Sequence, residues 1–550
     1  MKREHRQGFI FCTSSPLFSI FAHMKHLLYK KLTVLQVIAI FFILFTLLYF
    51  SFFFYLAKPG PQENISEKKD SSGTQTELKT EVPLKKDTTS FDRLKIALDT
   101  LAAKSELLHS GFGFCLMSPD SNKVLLEYNS RQSLVPASVM KTVTTGVALG
   151  KLGSGFRYVT RLQYDGEISN RVLNGNIYIL GSGDPSLASD VFRQNATEEL
   201  MREWVGAIKN LGIDSVRGMI LGDAGIFEPD LIPAGWSWED IQNDYGVGPC
   251  GLSFRENMYD IDLIAGNKGL FVKVSPPVPG LKLHNQVLVN KVAKPYVYVM
   301  GGPYQDERVM CGEVNGSYEC RSAAPDPALY CAYTLMKSLQ KNKVEVKDSC
   351  GTVRQLRLEN KYNKKERKTF HSTYSPSLSQ LVYHTNQVSQ NFYAETFLRT
   401  LGFFDSNFGS TFAGTSAVAK FFREHNIDLH GFYMVDGSGV SRYDAISTKF
   451  LCDMLTMYSK DSSIFHSFYH SLPVSGISGT LRNIADDSTS SGKIHAKSGY
   501  MTRVRSYAGY VTTKSGKMLV FAMIMNNQEW DATETRDRLE QLMKLMTELD

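Results

Sequence analysis

Three short stretches carry the residue types that acyl transfer needs. Ser138 and Lys141 stand three apart in Val135-Pro136-Ala137-Ser138-Val139-Met140-Lys141, and Val143, Val147 and Leu149 follow at helical spacing. That separation puts the hydroxyl and the amine on one helix face. With Pro136 just upstream, Ser138 is expected in the first helical turn, where free N–H groups and the dipole favour a developing oxyanion. A lysine packed there loses hydration, its pKa falls, and it can accept the serine proton. Alone the pair carries little, because Ser-x-x-Lys also occurs at Ser66/Lys69, Ser338/Lys341 and Ser490/Lys493.

The second stretch is Ser389-Gln390-Asn391, between a helical run holding Leu378, Leu381 and Val382 and another holding Phe392, Ala394, Phe397 and Leu398. A hydroxyl and an amide at a helix junction can relay a proton and hold a substrate amide. Taken by itself, the triplet reads better as a helix N-cap. The third stretch is Lys497-Ser498-Gly499, in extended-looking sequence after Ile494-His495-Ala496. A cationic strand edge with a hydroxyl and a glycine lets an anionic peptide end lie against the backbone. The same triplet recurs as Lys514-Ser515-Gly516, between two strand-like runs, where it reads as a hairpin turn.

The surrounding periodicity says what positions these groups. Phe91, Leu94, Leu98 and Leu101 recur at helical spacing, and strand-like runs follow at residues 113–117 and 124–128. Strand-like runs at 507–512 and 518–525 and an amphipathic helix at 537–549 mirror them at the other end. One mixed sheet covered by both terminal helices is expected, in an α+β fold. Residues 156–369 hold short apolar runs separated by Gly, Pro and Asn, and read as an inserted strand-rich region of one or two small domains.

In this order, Ser-x-x-Lys, Ser-x-Asn and Lys-Ser/Thr-Gly are the motif set of penicillin-binding proteins and serine β-lactamases. The chain resembles the D-alanyl-D-alanine carboxypeptidase/endopeptidase family of low-molecular-mass penicillin-binding proteins, whose first two motifs are separated by a large insertion. The segments Gly181-Ser182-Gly183-Asp184-Pro185-Ser186-Leu187, Gly222-Asp223, Pro233-Ala234-Gly235-Trp236 and Asn257 match its inserted-domain pattern. Asp436-Gly437-Ser438-Gly439 with Ser441-Arg442, and Leu472-Pro473-Val474-Ser475-Gly476 with Gly479-Thr480-Leu481, resemble its later landmarks. The resemblance runs from about residue 91 to the C-terminus and implies a penicillin-binding/β-lactamase-like transpeptidase domain over residues 91–155 and 370–550. This chain departs from the usual Lys-Thr-Gly-Thr/Ser pattern at Ser498 and Tyr500.

The resemblance implies a serine-type D-Ala-D-Ala carboxypeptidase or endopeptidase working on peptidoglycan stem peptides through an acyl-enzyme, and inhibited by β-lactam antibiotics. Ser138 would be the nucleophile and Lys141 its base. Ser389 and Asn391 would relay the proton and orient the peptide, and Lys497 would supply positive potential. Ser498, Gly499 and Tyr500 would line the substrate, with the Ser138 and Tyr500 amides as oxyanion donors. Asp184 is either a further substrate contact or simple turn chemistry before Pro185. Two other functions fit parts of the pattern. One is a serine β-lactamase, for which Glu228-Pro229-Asp230-Leu231 superficially offers a deacylating carboxylate, although it reads better as an exposed loop. The other is a catalytically silent wall-binding scaffold.

Location follows from residues 32–57, which carry no charge, are rich in Leu, Ile, Val, Phe and Tyr, and can span a bilayer. Lys2, Arg3, Arg6, Lys25, Lys30 and Lys31 precede them, which leaves residues 1–31 cytoplasmic and the catalytic part outside the cytoplasmic membrane. A cleaved signal peptide is the competing reading, and it exports the same bulk. Residues 58–90 have the composition of a solvated tether. A net charge of +6 over 550 residues, without dense basic runs, points to no nucleic-acid partner. Cysteine and histidine spacings imply no metal, and no cofactor is expected. Seven of the eight cysteines lie beyond the span, where disulfides are permitted, and Cys311 with Cys320 is the first pair to consider.

Overall fold

The computed structural model describes residues 88–266 and 269–550. The expected span at residues 32–57 lies outside the described residues, among which no helix is long and apolar enough to cross a membrane. The first helix, α1 (Ser90–Ala102), starts at a capping box in which Thr89 and Asp92 bond reciprocally. It buries Leu94, Leu98 and Leu101, whereas Phe91 is left exposed. A hairpin of β1 (Gly111–Ser118) and β2 (Lys123–Tyr128) follows, then α2 (Met140–Leu152), whose first ten residues are all buried.

After the insert the chain forms α3 (Leu378–Val388), α4 (Asn391–Ser406), α5 (Thr411–Glu424), α6 (Thr448–Lys460) and α7 (Ser462–Ser471). It closes with β3 (Ile494–Met501), β4 (Val504–Thr512), β5 (Met518–Asn526) and α8 (Ala532–Thr547). The sheet order is β3-β4-β5-β1-β2, with β3 at an edge. Every pairing in it is antiparallel, and the parallel pairings that make the molecule's sheets mixed fall in the insert.

Strand alternation divides this sheet between two cores. Phe112, Phe114, Leu116, Phe521, Met523 and Met525 face α1 and α8, packing on Leu94, Leu98, Leu539 and Met543. Cys115, Met117, Ala508, Tyr510, Ala522 and Ile524 face the helical layer built from α2, α4, α6 and α7. The terminal helices thus cover one face and the motif-bearing helices the other, the α+β arrangement expected.

The excursion between α2 and α3 is zipped at its base. Strand Val159–Tyr164 pairs antiparallel with Lys368–Tyr374, and the Ser375 N–H donates to the Tyr158 carbonyl at 3.1 Å. These two strands belong to a five-stranded sheet, and a four-stranded and two three-stranded sheets lie between them in the chain. Helices Ala196–Asn210 and Pro327–Lys341 accompany them, burying Trp204, Ile208, Leu335 and Leu339 in a core of their own. The region expected to be strand-rich thus also holds helices, and Leu200, Trp204 and Ile208 keep helical spacing. Cys311 and Cys320, the first pair to consider, are not joined: all seven described cysteines are free thiols. The short loop between them is not a hairpin, because Cys311 lies on Glu307–Val314 and Cys320 on Tyr318–Ala323, which join different sheets.

Candidate active site

Ser138 lies in a single 3-10 turn, Ala137–Val139, that runs straight into α2. The turn is fixed from several sides. Asn526 on β5 bonds both polar groups of the Val135 backbone, at 2.8 and 3.0 Å, and the Ser506 hydroxyl donates to the Pro136 carbonyl at 2.5 Å. Ala137 takes the left-handed conformation, with φ +48°, a strained elbow for a residue with a side chain. Gly439 presses against that elbow so closely that a Cβ there would stand 1.9 Å from the Ala137 carbonyl oxygen.

One turn further along, the Lys141 ammonium is wholly buried and has three partners: the Ser138 hydroxyl at 2.9 Å, Asn391 Oδ1 at 2.6 Å and the Ser438 carbonyl at 2.8 Å. Two of these can only accept. A neutral amine has two N–H donors and one lone pair, so satisfying both leaves the lone pair directed at the Ser138 O–H. Burial pulls the Lys141 pKa down to about 7, against the opposing pull of Asp436, Glu395 and Asp444. The arrangement can therefore supply a base near neutral pH.

Asn391 opens α4, and Ser389, two residues before it, is in the left-handed conformation that ends α3. Ser389 is thus no N-cap: its hydroxyl accepts from the Lys497 ammonium at 2.9 Å. Lys497 also donates to the Ser498 carbonyl at 2.7 Å. Its pKa lies well below the ordinary value, first because it is buried and then because Lys141 and Arg505 repel its charge. Ser498 donates to the Thr480 hydroxyl at 2.7 Å, so two hydroxyls stand together beside the edge strand. Gly499 lies against the nucleophile's own backbone, where a Cβ would come 2.2 Å from Ser506 Oγ, 2.7 Å from the Pro136 carbonyl oxygen and 3.1 Å from the Ser138 nitrogen. The Tyr500 side chain is exposed, with the Arg505 guanidinium 5.5 Å from its ring centroid.

Ser138, Lys141, Ser389, Asn391, Lys497, Ser498 and Gly499 are therefore brought together, with Tyr500 at the edge. Asp184 is not in that cluster: it is buried in the insert, and its Oδ1 accepts from the Ser186 N–H at 2.8 Å and the Ser186 hydroxyl at 2.6 Å. Glu228, expected on an exposed loop, is half-buried; it pairs with Arg399 at 3.4 Å and accepts from the Thr411 N–H at 2.8 Å. The second copy of the lysine triplet forms a turn, with the Gly516 N–H donating to the Thr513 carbonyl at 3.0 Å.

Sequence reasoning missed the groups beneath Lys141. Glu395 is fully buried and accepts from the Gly437 N–H at 3.0 Å and the Ser438 N–H at 2.8 Å. Asp436, in the Asp436-Gly437-Ser438-Gly439 segment, accepts from the N–H groups of Gly439 at 2.6 Å and Ser441 at 2.7 Å. These carboxylates hold the loop that presents the Ser438 carbonyl. Burial, then Asp436, raises the Glu395 pKa to about 8, and burial also raises Asp444. Glu395 lies one helical turn after Asn391, an i,i+4 relation that a search of that face would have found.

A serine hydroxyl on a lysine, with an amide, a second lysine and a strand edge around them, defines a serine acyl-transfer site. The chain belongs to the D-Ala-D-Ala carboxypeptidase 3 (S13) family, whose model matches residues 94–549. It is 26% identical over 461 residues to penicillin-sensitive carboxypeptidase A of Dictyostelium discoideum, covering 77% of this chain and 84% of that one. It is 23% identical over 439 residues to the D-alanyl-D-alanine carboxypeptidase DacB of Haemophilus influenzae, covering 78% and 88%. The crystal structure of penicillin-binding protein 4 (DacB) from Haemophilus influenzae has the same fold, with a TM-score of 0.69, 21% identity, and 82% of this chain and 97% of that one covered.

Proposed function

We propose that this protein is a serine-type D-Ala-D-Ala carboxypeptidase/endopeptidase that trims peptidoglycan stem peptides outside the cytoplasmic membrane. The catalytic domain comprises residues 91–155 and 370–550, with residues 156–369 inserted. The observation that carries the reading is the Ser138 hydroxyl 2.9 Å from a buried lysine whose other partners can only accept.

Ser138 Oγ attacks the carbonyl carbon of the D-Ala-D-Ala bond as its proton passes to Lys141 Nζ. The C–N bond then breaks, and the proton held by Lys141 passes through Ser389 to the departing D-Ala nitrogen, returning Lys141 to its neutral form; the Ser389 O–H is free for this because its oxygen accepts from Lys497. Water attacks the resulting ester and gives a proton to Lys141, which passes it to Ser138 Oγ as the ester C–O bond breaks. The Ser138 and Tyr500 amides receive the oxyanion. Lys497, with Ser498 and Thr480 beside it, holds the peptide's terminal carboxylate. β-Lactams acylate the same serine. The β-lactamase alternative loses support, because Glu228 is engaged by Arg399 and the start of α5.

The uncharged run at residues 32–57, preceded by six basic residues, supports a single-pass anchor with the catalytic domain on the extracytoplasmic side. The function is tested by mapping the residue labelled by fluorescent penicillin and by assaying D-Ala release from a pentapeptide. Label at Ser138, with release lost in Ser138→Ala, is expected. Binding without release in the wild type would support a silent scaffold instead, and rapid penicillin turnover a β-lactamase.

A further inference from the structure

Both fixed acceptors of Lys141 are themselves held from the insert, by two residues nine apart in one short segment. The Asn391 amide spends its oxygen on Lys141 and donates from Nδ2 to the Tyr245 carbonyl at 2.9 Å. Because an amide flip would exchange oxygen and nitrogen, the Tyr245 contact fixes which end meets the lysine. It also leaves one Nδ2 hydrogen free for a substrate carbonyl. The other acceptor, the Ser438 carbonyl, belongs to the loop wrapped around Asp436, and the Trp236 indole N–H donates to Asp436 Oδ2 at 2.7 Å. Gly235 packs so tightly on that loop that a Cβ would stand 2.3 Å from Ser441 Oγ.

The segment is shaped for these contacts. The Tyr245 hydroxyl donates to Asp240 Oδ1 at 3.1 Å, and Gly246 closes the turn where a Cβ would meet the Asp240 carbonyl oxygen at 1.9 Å. Trp238, between the two contacts, points to solvent and is 56% exposed.

We infer that the segment from Trp236 to Gly246 is a positioning strap for the base. The inserted region, through Trp236 and the Tyr245 carbonyl, sets the hydrogen-bonding field in which Lys141 accepts the Ser138 proton. Among the described residues the strap forms no hydrogen bond with the Ser138 hydroxyl or the Lys141 ammonium, so Trp236 and Tyr245 act through Asp436 and Asn391. This deepens the acyl-transfer reading and rests on it.

The charged groups facing Lys141 give the direction of the effect. Asp436 and Asp444 lie on the loop beneath it, Glu395 on α4, and Lys497 comes from β3. Of the carboxylates, Asp436 exerts the largest upward pull on the lysine, and the indole N–H spreads part of its negative charge. Removing that donor leaves more negative charge near the ammonium and holds its proton more tightly. Lys141 is then neutral only at higher pH.

The test is the second-order rate of acylation of the full-length chain by fluorescent penicillin across pH, with melting temperatures measured in parallel. Trp236→Phe keeps an aromatic ring and removes the donor. It is expected to move the rising limb upward by about half a pH unit, which slows acylation about twofold at neutral pH and roughly threefold below the limb. Gly246→Ala, which displaces the Tyr245 carbonyl, is expected to slow acylation by a similar factor, and Trp238→Phe to match the wild type. A Trp236→Phe profile superimposable on wild type overturns the inference. So does a Gly246→Ala enzyme with a lowered melting temperature and unchanged acylation, which decides the matter if Trp236→Phe does not fold. Failure of penicillin to label wild-type Ser138 overturns the acyl-transfer reading itself and the strap with it.

Discussion

The amide oxygen of Asn391 lies 2.6 Å from the ammonium of Lys141, across 250 residues of sequence. It consumes one of the lysine's donors, as the Ser438 carbonyl consumes another, and so aims the remaining position at Ser138.

The pH dependence of acylation follows from that geometry. Only neutral Lys141 can accept the proton, and burial brings its pKa to about 7, so the acylation rate should rise with pH through about 7 and then level off. Asn391→Asp puts a carboxylate against the amine, favours its charged form and should move the limb upward by about one pH unit or more. Stopped-flow acylation by a chromogenic β-lactam across pH measures both. A flat profile in the wild type would remove Lys141 as the base.

Gly499 is the point where strand β3 touches the nucleophile's backbone. Gly499→Ala would drive a methyl into Ser506 Oγ and the Pro136 carbonyl, pushing the strand away from Ser138. Overpacking of this kind costs about 1–3 kcal/mol, and the displaced oxyanion donors should cost roughly a hundredfold or more in acylation. The loss in rate should exceed what the fall in melting temperature explains. An enzyme that is less stable but acylates normally would argue against Gly499 setting the site.

These residues also mark how far the sequence carries. Ser138, Lys141, Ser389, Asn391, Lys497 and Gly499 were legible because their spacing is local: three residues along one helical run, two across a helix junction, two along a strand. The helices and strands at both ends were legible from apolar periodicity, although Phe91, which keeps that period, lies on the exposed side of α1. What joins the motifs was not legible. The contact between Tyr245 and Asn391 spans 146 residues and runs through a backbone carbonyl, which every residue type possesses. The pairing of Cys311 and Cys320 was not legible for a related reason: closeness along the chain says nothing about which sheet each strand enters.

Lys497 provides a test of substrate charge. Its charge is disfavoured by burial and by Lys141 and Arg505, so an arriving carboxylate supplies a counter-charge. A peptide with a free terminal D-Ala carboxylate should be cleaved with kcat/KM roughly ten to a hundred times that of its amide, and Lys497→Met should erase most of the difference. Hydrolysis of the paired substrates by both enzymes gives the comparison. Equal discrimination by both would place carboxylate recognition elsewhere on the strand edge.

Asp184 offers a stability measurement whose sign is fixed. Burial raises its pKa from 3.8 to about 6, with Ser186 opposing. Between those values the folded protein keeps a proton that the unfolded chain gives up, so the folded state binds more protons and stability falls as pH rises from about 4 to about 6. A fully buried group shifted this far contributes up to about 3 kcal/mol to that fall. Asp184→Asn retains an oxygen to accept from the Ser186 N–H and cannot ionise. Its unfolding free energy, measured by denaturant titration, should lack this decline, so the variant gains on the wild type as pH rises through that window and holds a constant difference above it. Parallel curves for the two proteins from about pH 4 to about pH 6 would show that the Asp184 carboxyl is ionised in the folded protein, and that the Ser186 bonds outweigh its burial.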